Sequence, residues 1–264
     1  FAVPLATVIA DIRQQVAAGA RHITFTDPDF LNGPTHALRI ARALHDAFPG
    51  TTFDFTAKVE HLLRHRRLLP EFARLGCAFV VTAVESLSDR VLRCLEKGHT
   101  RQDVFQVVRA ARAAGLTLRP SLLPFTPWST LADYRELLDW IEGEELVECV
   151  DAVQLGIRLL VPPGSALLGK PWMTPHLGEL DPEALTFRWA HPDARMDRLY
   201  EAVNAIVTEA AGRGADGWTT FGRIRRAAEL VAGGWRGRGG RGRSAAGRIR
   251  SARPAPRLTE PWFC

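Results

Sequence analysis

The stretch TTFDFTAKVEHLLRHRRLLPEFARLGCAFVVTAVESLSD, residues 51–89, decides the fold. Residues 52–57 are a short β-branched and aromatic run, the composition that suits a pleated, half-buried surface. Residues 60–75 then show apolar side chains at helical spacing and stop at Gly76, the usual helix-ending residue. A second β-branched run, 78–84, follows at once and is closed by Glu85-Ser86-Leu87-Ser88-Asp89. Strand, helix, strand in that order predicts parallel strands with helices packed outside them.

The same alternation extends both ways. Strand-like runs lie at 22–26, 117–123 and 153–160, and helical periodicity fills 5–18, 35–48, 101–114 and 130–142. Gly19 and Gly115 end their helices as Gly76 does. Strand starts about 25–40 residues apart leave room for a right-handed crossover each time. An open doubly wound sheet and a closed (β/α) barrel both fit this pattern. The chain opens on a helix at Phe1, and its only methionines are Met173 and Met196. The expectation is a processed or partial polypeptide whose first strand and loop lie before Phe1.

After Leu160 the character changes. Val161-Pro-Pro-Gly-Ser165 is a turn-rich exit, and the stretch to about Pro192 reads as loop. Residues 196–212 and 221–232 read as amphipathic helices. Residues 233–257 hold eight arginines and no acid, a low-complexity segment expected to be a disordered linker. Taking those eight from the net charge of +5 leaves −3 for the rest, so the basicity belongs to the tail. Residues 258–264 are a separate short tail. The domain reading is therefore a barrel over 1–165, a loop-rich and helical extension over 166–232, the linker 233–257 and the tail 258–264.

With 46% apolar residues, 264 residues can enclose a core without disulfide or metal staples. The four cysteines are scattered, with no paired zinc knuckles. The longest apolar run, residues 77–84, is far short of a membrane span. The expectation is a soluble, cytoplasmic protein with no membrane partner.

In parallel α/β folds ligands meet the C-terminal ends of the strands. After the first visible strand stands Thr26-Asp27-Pro28-Asp29-Phe30. Its two carboxylates suit an amine or a metal, and equally a helix-initiating turn. Lys58 and Glu60 follow the second strand. Glu85 ends the third, where a carboxylate suits ribose hydroxyls or is a solvated loop acid. Thr100 is the expected N-cap of the next helix. Arg119 and Ser121 share one face of the fourth strand, and Gln154 and Arg158 one face of the fifth, the pattern of a polar cavity or an ion-pair layer. His61 and His65 have the i, i+4 spacing of a metal pair but sit among Arg64, Arg66 and Arg67. That setting predicts a solvated basic face and no metal site.

The order Asp27-Pro-Asp-Phe30, Lys58, Glu85-Ser-Leu-Ser-Asp89 and Lys97-Gly-His-Thr100 resembles the radical S-adenosylmethionine (SAM) enzymes, especially elongator-like or cobalamin-dependent cores. Within them it is most similar to the CUAEP/CCAEP-tail radical SAM proteins, with Thr259-Glu-Pro-Trp-Phe-Cys264 like the approach to that tail. The resemblance implies a partial (β/α)6 barrel, here lacking its first strand and cluster loop. It implies SAM and a 4Fe–4S cluster as cofactors, the cluster held by a C-x3-C-x2-C loop. There the cluster cleaves SAM to a 5′-deoxyadenosyl radical that abstracts hydrogen from substrate.

Residue by residue, Asp27 and Asp29 match the contacts of the methionine amine. Glu85 matches the ribose contact, Ser86 and Lys97 stand nearby with Lys97 toward the methionine carboxylate, and Ser121 lies toward the adenine. The partners implied are a small-molecule or peptide substrate and an electron donor such as a flavodoxin or ferredoxin. No C-x3-C-x2-C occurs in the 264 residues. The cluster ligands are therefore expected upstream of Phe1, and the 264 residues alone are expected to be inactive. The tail resemblance implies a selenoprotein, with the codon after Cys264 a selenocysteine UGA and Cys264 a redox residue. The alternative is a nucleic-acid-binding protein using the Arg/Gly tail, although that tail lacks interleaved Phe or Tyr for stacking. A lyase or aldolase barrel with Lys58 as Schiff-base lysine is a third reading.

Overall fold

The computed structural model describes residues 2–233. Residues 234–264, which include Cys264 and nearly all of the Arg/Gly segment, lie outside the described residues. The described chain divides into two compact units, residues 2–84 with 99–121, and residues 85–98 with 122–233.

The first unit carries α1 (Leu5–Ala17), β1 (His22–Phe25), α2 (Pro34–Ala47), β2 (Thr52–Thr56), α3 (Val59–Arg64) and α4 (Leu69–Arg74). It also carries nearly all of β3 (Cys77–Glu85) and β4 (Thr117–Leu122), with α6 (Arg101–Ala113) between them. The four strands form one sheet in the order β1-β2-β3-β4, and β1–β2 and β2–β3 pair in parallel. The order follows the chain without reversing. That is the progression of a barrel wall, and a doubly wound sheet would show a switch point.

Phenylalanines fill the space under the helices. Phe53, Phe55, Phe72 and Phe79 have no exposed surface. Phe30 stacks on Phe25 with ring centroids 4.7 Å apart, and Phe55 meets Phe72 at 5.2 Å. At Gly76 φ is +100°, and an added Cβ would stand 3.4 Å from the Thr51 carbonyl oxygen, so only glycine turns the chain into β3 here without strain.

The helix expected over 60–75 is broken. It runs as α3, a 3-10 turn at Arg66–Leu68, and α4. Pro70 sits in the first turn of α4, where its missing N–H costs nothing, whereas inside a continuous helix it would remove a bond.

The second unit carries α5 (Asp89–Cys94), α7 (Leu131–Gly143), a hairpin of β5 (Leu177–Asp181) and β6 (Thr186–Trp189), then α8 (Ala194–Arg213) and α9 (Gly217–Val231). Val91, Trp128, Leu159, Val161 and Met173 form its buried core. The strand expected over 153–160 is instead a 3-10 segment, Ala152–Gly156, followed by a single bridge from Arg158 to Phe125. Gln154 does not share a strand face with Arg158. Its side-chain oxygen accepts from the Leu122 N–H at 2.9 Å, standing in for the next strand at the end of β4. The hairpin occupies a stretch read from sequence as loop. No helix among the described residues is long and apolar enough to cross a membrane.

Candidate functional site

In the first unit the chain leaves β1 into an Asx turn. The Asp29 N–H donates to Asp27 Oδ1 at 2.8 Å, and the Asp29 carbonyl accepts from Asn32 N–H at 2.8 Å. The turn reading of Asp-Pro-Asp therefore holds, although α2 itself begins beyond it, on Gly33 and Pro34. Asp29 is buried. Its Oδ1 accepts from the Lys58 N–H at 3.2 Å, and its Oδ2 lies 2.7 Å from His61 Nδ1 and 3.9 Å from Lys58 Nζ. Both of its oxygens are thus engaged within the protein. Asp27 is exposed and uses one oxygen in the turn, so it is the carboxylate better placed to take an amine.

His61 is not on a solvated face as its basic neighbours suggested. Its side chain is 12% exposed, with Nδ1 2.7 Å from Asp29 Oδ2. The cause is the short α3, which starts directly after β2 and sets its first turn against the loop carrying Asp29. His65 stands beside it, ring centroids 6.3 Å apart. Burial, with help from His61 and Arg64, lowers the His65 pKa from its ordinary value. Lys58 is 65% exposed, without the apolar enclosure of a Schiff-base lysine.

Glu85 closes β3 with φ of +61°, a left-handed backbone on a residue other than glycine. Its carbonyl accepts from Leu123 N–H at 2.8 Å, and its Oε1 lies 3.0 Å from Lys97 Nζ. The structure therefore joins Glu85 and Lys97, twelve residues apart. One Glu85 oxygen remains for a donor such as a hydroxyl. Ser86 is buried and its Oγ accepts from Ser88 N–H at 3.1 Å, shaping the turn into α5. Ser121 is half-buried near the end of β4. Thr100 caps α6 as expected, and Asp103 returns the bond to complete a capping box.

One polar cluster escaped the sequence reading. Asp54 on β2, 2% exposed, accepts from Thr24 Oγ1 at 2.7 Å and lies 2.8 Å from His22 Nε2. The signal was present, since His22 and Thr24 alternate on β1, in register with Thr52 and Asp54 on β2. His22 starts β1, the end of the strand that stabilises rather than reacts in a barrel.

The described cysteines do not suit an iron–sulfur cluster. Cys77 is buried and its thiol donates to the Phe79 carbonyl, and burial pushes its pKa far up. Burial also raises Cys94. A metal ligand must be the thiolate. Among the described residues no group of three or more His, Cys, Asp or Glu gathers to hold a metal ion.

The family model described as the Radical SAM superfamily matches residues 2–141, more than half of the chain. The cobalamin-dependent S-adenosylmethionine radical enzyme OxsB, with aqua-cobalamin bound, is similar in fold. Its TM-score is 0.67 at 15% identity, over 86% of this chain and 42% of that one. The radical S-adenosylmethionine methyltransferase TsrM from Kitasatospora setae, with cobalamin and a [4Fe–4S] cluster bound, gives a TM-score of 0.51 at 17% identity, over 88% of this chain and 56% of that one. The chain thus spans about half the length of these neighbours or less. No curated protein matches it in sequence.

Proposed function

This chain belongs to the radical SAM superfamily, and from that premise we propose that it is the SAM-binding part of an enzyme that cleaves SAM reductively. The observation that carries the reading is the placement of carboxylates at strand ends, Asp27 and Asp29 after β1 and Glu85 at the close of β3. In this proposal Asp27 and Asp29 face the methionine amine, with Asp27 the direct acceptor and Asp29 stiffening the loop. Glu85 takes a ribose hydroxyl, held by Lys97, which also offers its ammonium to the methionine carboxylate. Ser86 shapes the turn beside Glu85, and Ser121 borders the adenine.

A 4Fe–4S cluster, when bound, would supply the electron for reductive cleavage of SAM, and Asp27, Asp29, Glu85 and Lys97 would hold the SAM for it. None of the described cysteines suits the cluster, and no C-x3-C-x2-C occurs in the 264 residues; in this proposal the cluster ligands lie upstream of Phe1 and the 264 residues alone do not cleave SAM. The electron comes from a reduced flavodoxin or ferredoxin, and the substrate is a small molecule or peptide. Within the superfamily we place the protein with the CUAEP/CCAEP-tail group, on the Glu85–Asp89 and Lys97–Thr100 runs.

The test begins with the coding DNA on either side. An in-frame C-x3-C-x2-C upstream is expected. The longer protein, loaded anaerobically with iron and sulfide and then reduced, is expected to release methionine and 5′-deoxyadenosine from SAM. A start codon with no cysteine triad, or a loaded protein that leaves SAM intact, overturns the reading. TGA followed by Ala-Glu-Pro codons after Cys264 is expected for the tail group, and TAA or TAG there removes the group assignment.

A further inference from the structure

Within the first unit, α2 and the α3–α4 turn enclose an open cavity of about 400 Å³, a volume in the range of small-ligand pockets. Arg39 and Arg42 line it from α2, Arg64, His65 and Arg67 from the opposite side, and Leu38 and Leu68 supply apolar wall. Four arginines around one cavity repel each other unless anions answer them. Two are answered internally. Arg42 Nε lies 2.8 Å from Glu71 Oε1, and Arg64 is paired with Glu60. Arg39 and Arg67, both exposed, meet no carboxylate among the described residues. The cavity thus carries a surplus of two positive charges.

A third feature has the same sign. Pro34 and Thr35, the first residues of α2, also border the cavity. That helix starts on Gly33 with no side-chain cap and no acid in its first turn, so its dipole and free backbone N–H groups are not neutralised from within. A guanidinium pair beside a helix start is suited to a tetrahedral oxyanion.

From these groups we propose that this cavity is a binding site for a small phosphomonoester, the phosphate held by Arg39 and Arg67 and the body of the ligand lying on Leu38 and Leu68. A phosphomonoester carries a charge of about −1.5 to −2 at neutral pH, which matches the unanswered surplus. A volume of about 400 Å³ is of the size of a mononucleotide. The site is independent of SAM cleavage and does not rest on that reading.

The test is calorimetric titration of the whole chain with AMP, adenosine, inorganic phosphate and a short single-stranded RNA. AMP is expected to bind at one site per chain, phosphate more weakly at the same site, and adenosine not measurably. In the Arg39→Ala/Arg67→Ala double variant AMP affinity is expected to fall at least tenfold, with an unchanged urea unfolding midpoint because both side chains are exposed. Arg13→Ala, an exposed arginine that does not line the cavity, is expected to bind AMP as the parent does. Equal binding of AMP and adenosine overturns the proposal. So does AMP binding that survives the double substitution. RNA binding that is tighter than AMP and lost in the double variant also overturns it, in favour of a polymer surface. Loss of the urea midpoint together with binding sends the comparison to Arg39→Lys/Arg67→Lys. That variant keeps charge and fold, and the proposal requires it to bind AMP more weakly for want of the guanidinium fork.

Discussion

Glu85 combines a left-handed backbone with a side-chain ion pair, and replacing it by glycine and by alanine separates the two. At φ of +61° a residue with a Cβ is strained by about 1–2 kcal/mol. The ion pair with Lys97 joins side chains 19% and 28% exposed, worth about 0–1 kcal/mol. Glu85→Ala loses the pair and keeps the strain. Glu85→Gly loses the pair and the strain, but gives the unfolded chain extra freedom worth about 0.4–1 kcal/mol. The glycine variant is therefore expected to be more stable than the alanine variant by about 0.5–1 kcal/mol, or roughly 1–4 °C in Tm for a chain this size. Urea unfolding of the three proteins reads the order directly. SAM titration of the same set is expected to show both variants weakened alike, because both lack the carboxylate. If the alanine variant equals or exceeds the glycine variant in stability, the strain is absent and the reasoning fails. If the glycine variant binds SAM like the parent, the side chain has no part in the site.

Three further outcomes follow from the packing. Thr100→Ala removes the α6 capping box and is expected to cost about 1 kcal/mol, measured as a lowered urea midpoint, with Thr100→Ser recovering most of it. Phe72→Ala empties a fully buried site against Phe55 and Phe30 and is expected to cost about 3–5 kcal/mol, seen in the same assay, with Phe72→Leu costing less. His65 has a folded pKa below the ordinary 6.5, so the unfolded chain takes up the proton first. Its contribution is present above that value, declines as the pH falls through 6.5, and levels off below the folded pKa. Thermal midpoints taken on either side of that range are expected to fall less in His65→Gln than in the parent.

Much of the framework was legible because it rests on local signals. The four strands match the expected runs to within two residues at either end, and the helices at 5–18, 35–48 and 101–114 to within one. Their apolar spacing and terminal glycines follow from burial and backbone sterics. The strand over 153–160 failed because its β-branched composition says nothing about available partners. At that edge the Gln154 side chain takes the bond a backbone would have offered. The β5–β6 hairpin was not legible because the prolines around it and Pro182 in its turn give the stretch a loop composition, although Leu177-Gly-Glu-Leu and Thr186-Phe-Arg-Trp flank that turn. At the site, Asp27, Asp29 and Glu85 were found from strand-end position. The His61–Asp29 contact was not, because it depends on where α3 starts relative to the loop after β1. Pairing of Glu85 with Lys97 likewise needed the length of α5 to bring the lysine back.

The bond from the Lys58 amide to Asp29 ties the loop after β1 to the loop after β2. Two connections that barrels ordinarily vary one at a time are thereby fastened into a single piece. Lengthening either loop by a residue would unfasten the other, so inserts should be accepted elsewhere on this rim before they are accepted here. The Lys58 amide proton, slow to exchange while the fastening holds, is a local gauge of whether the rim is intact.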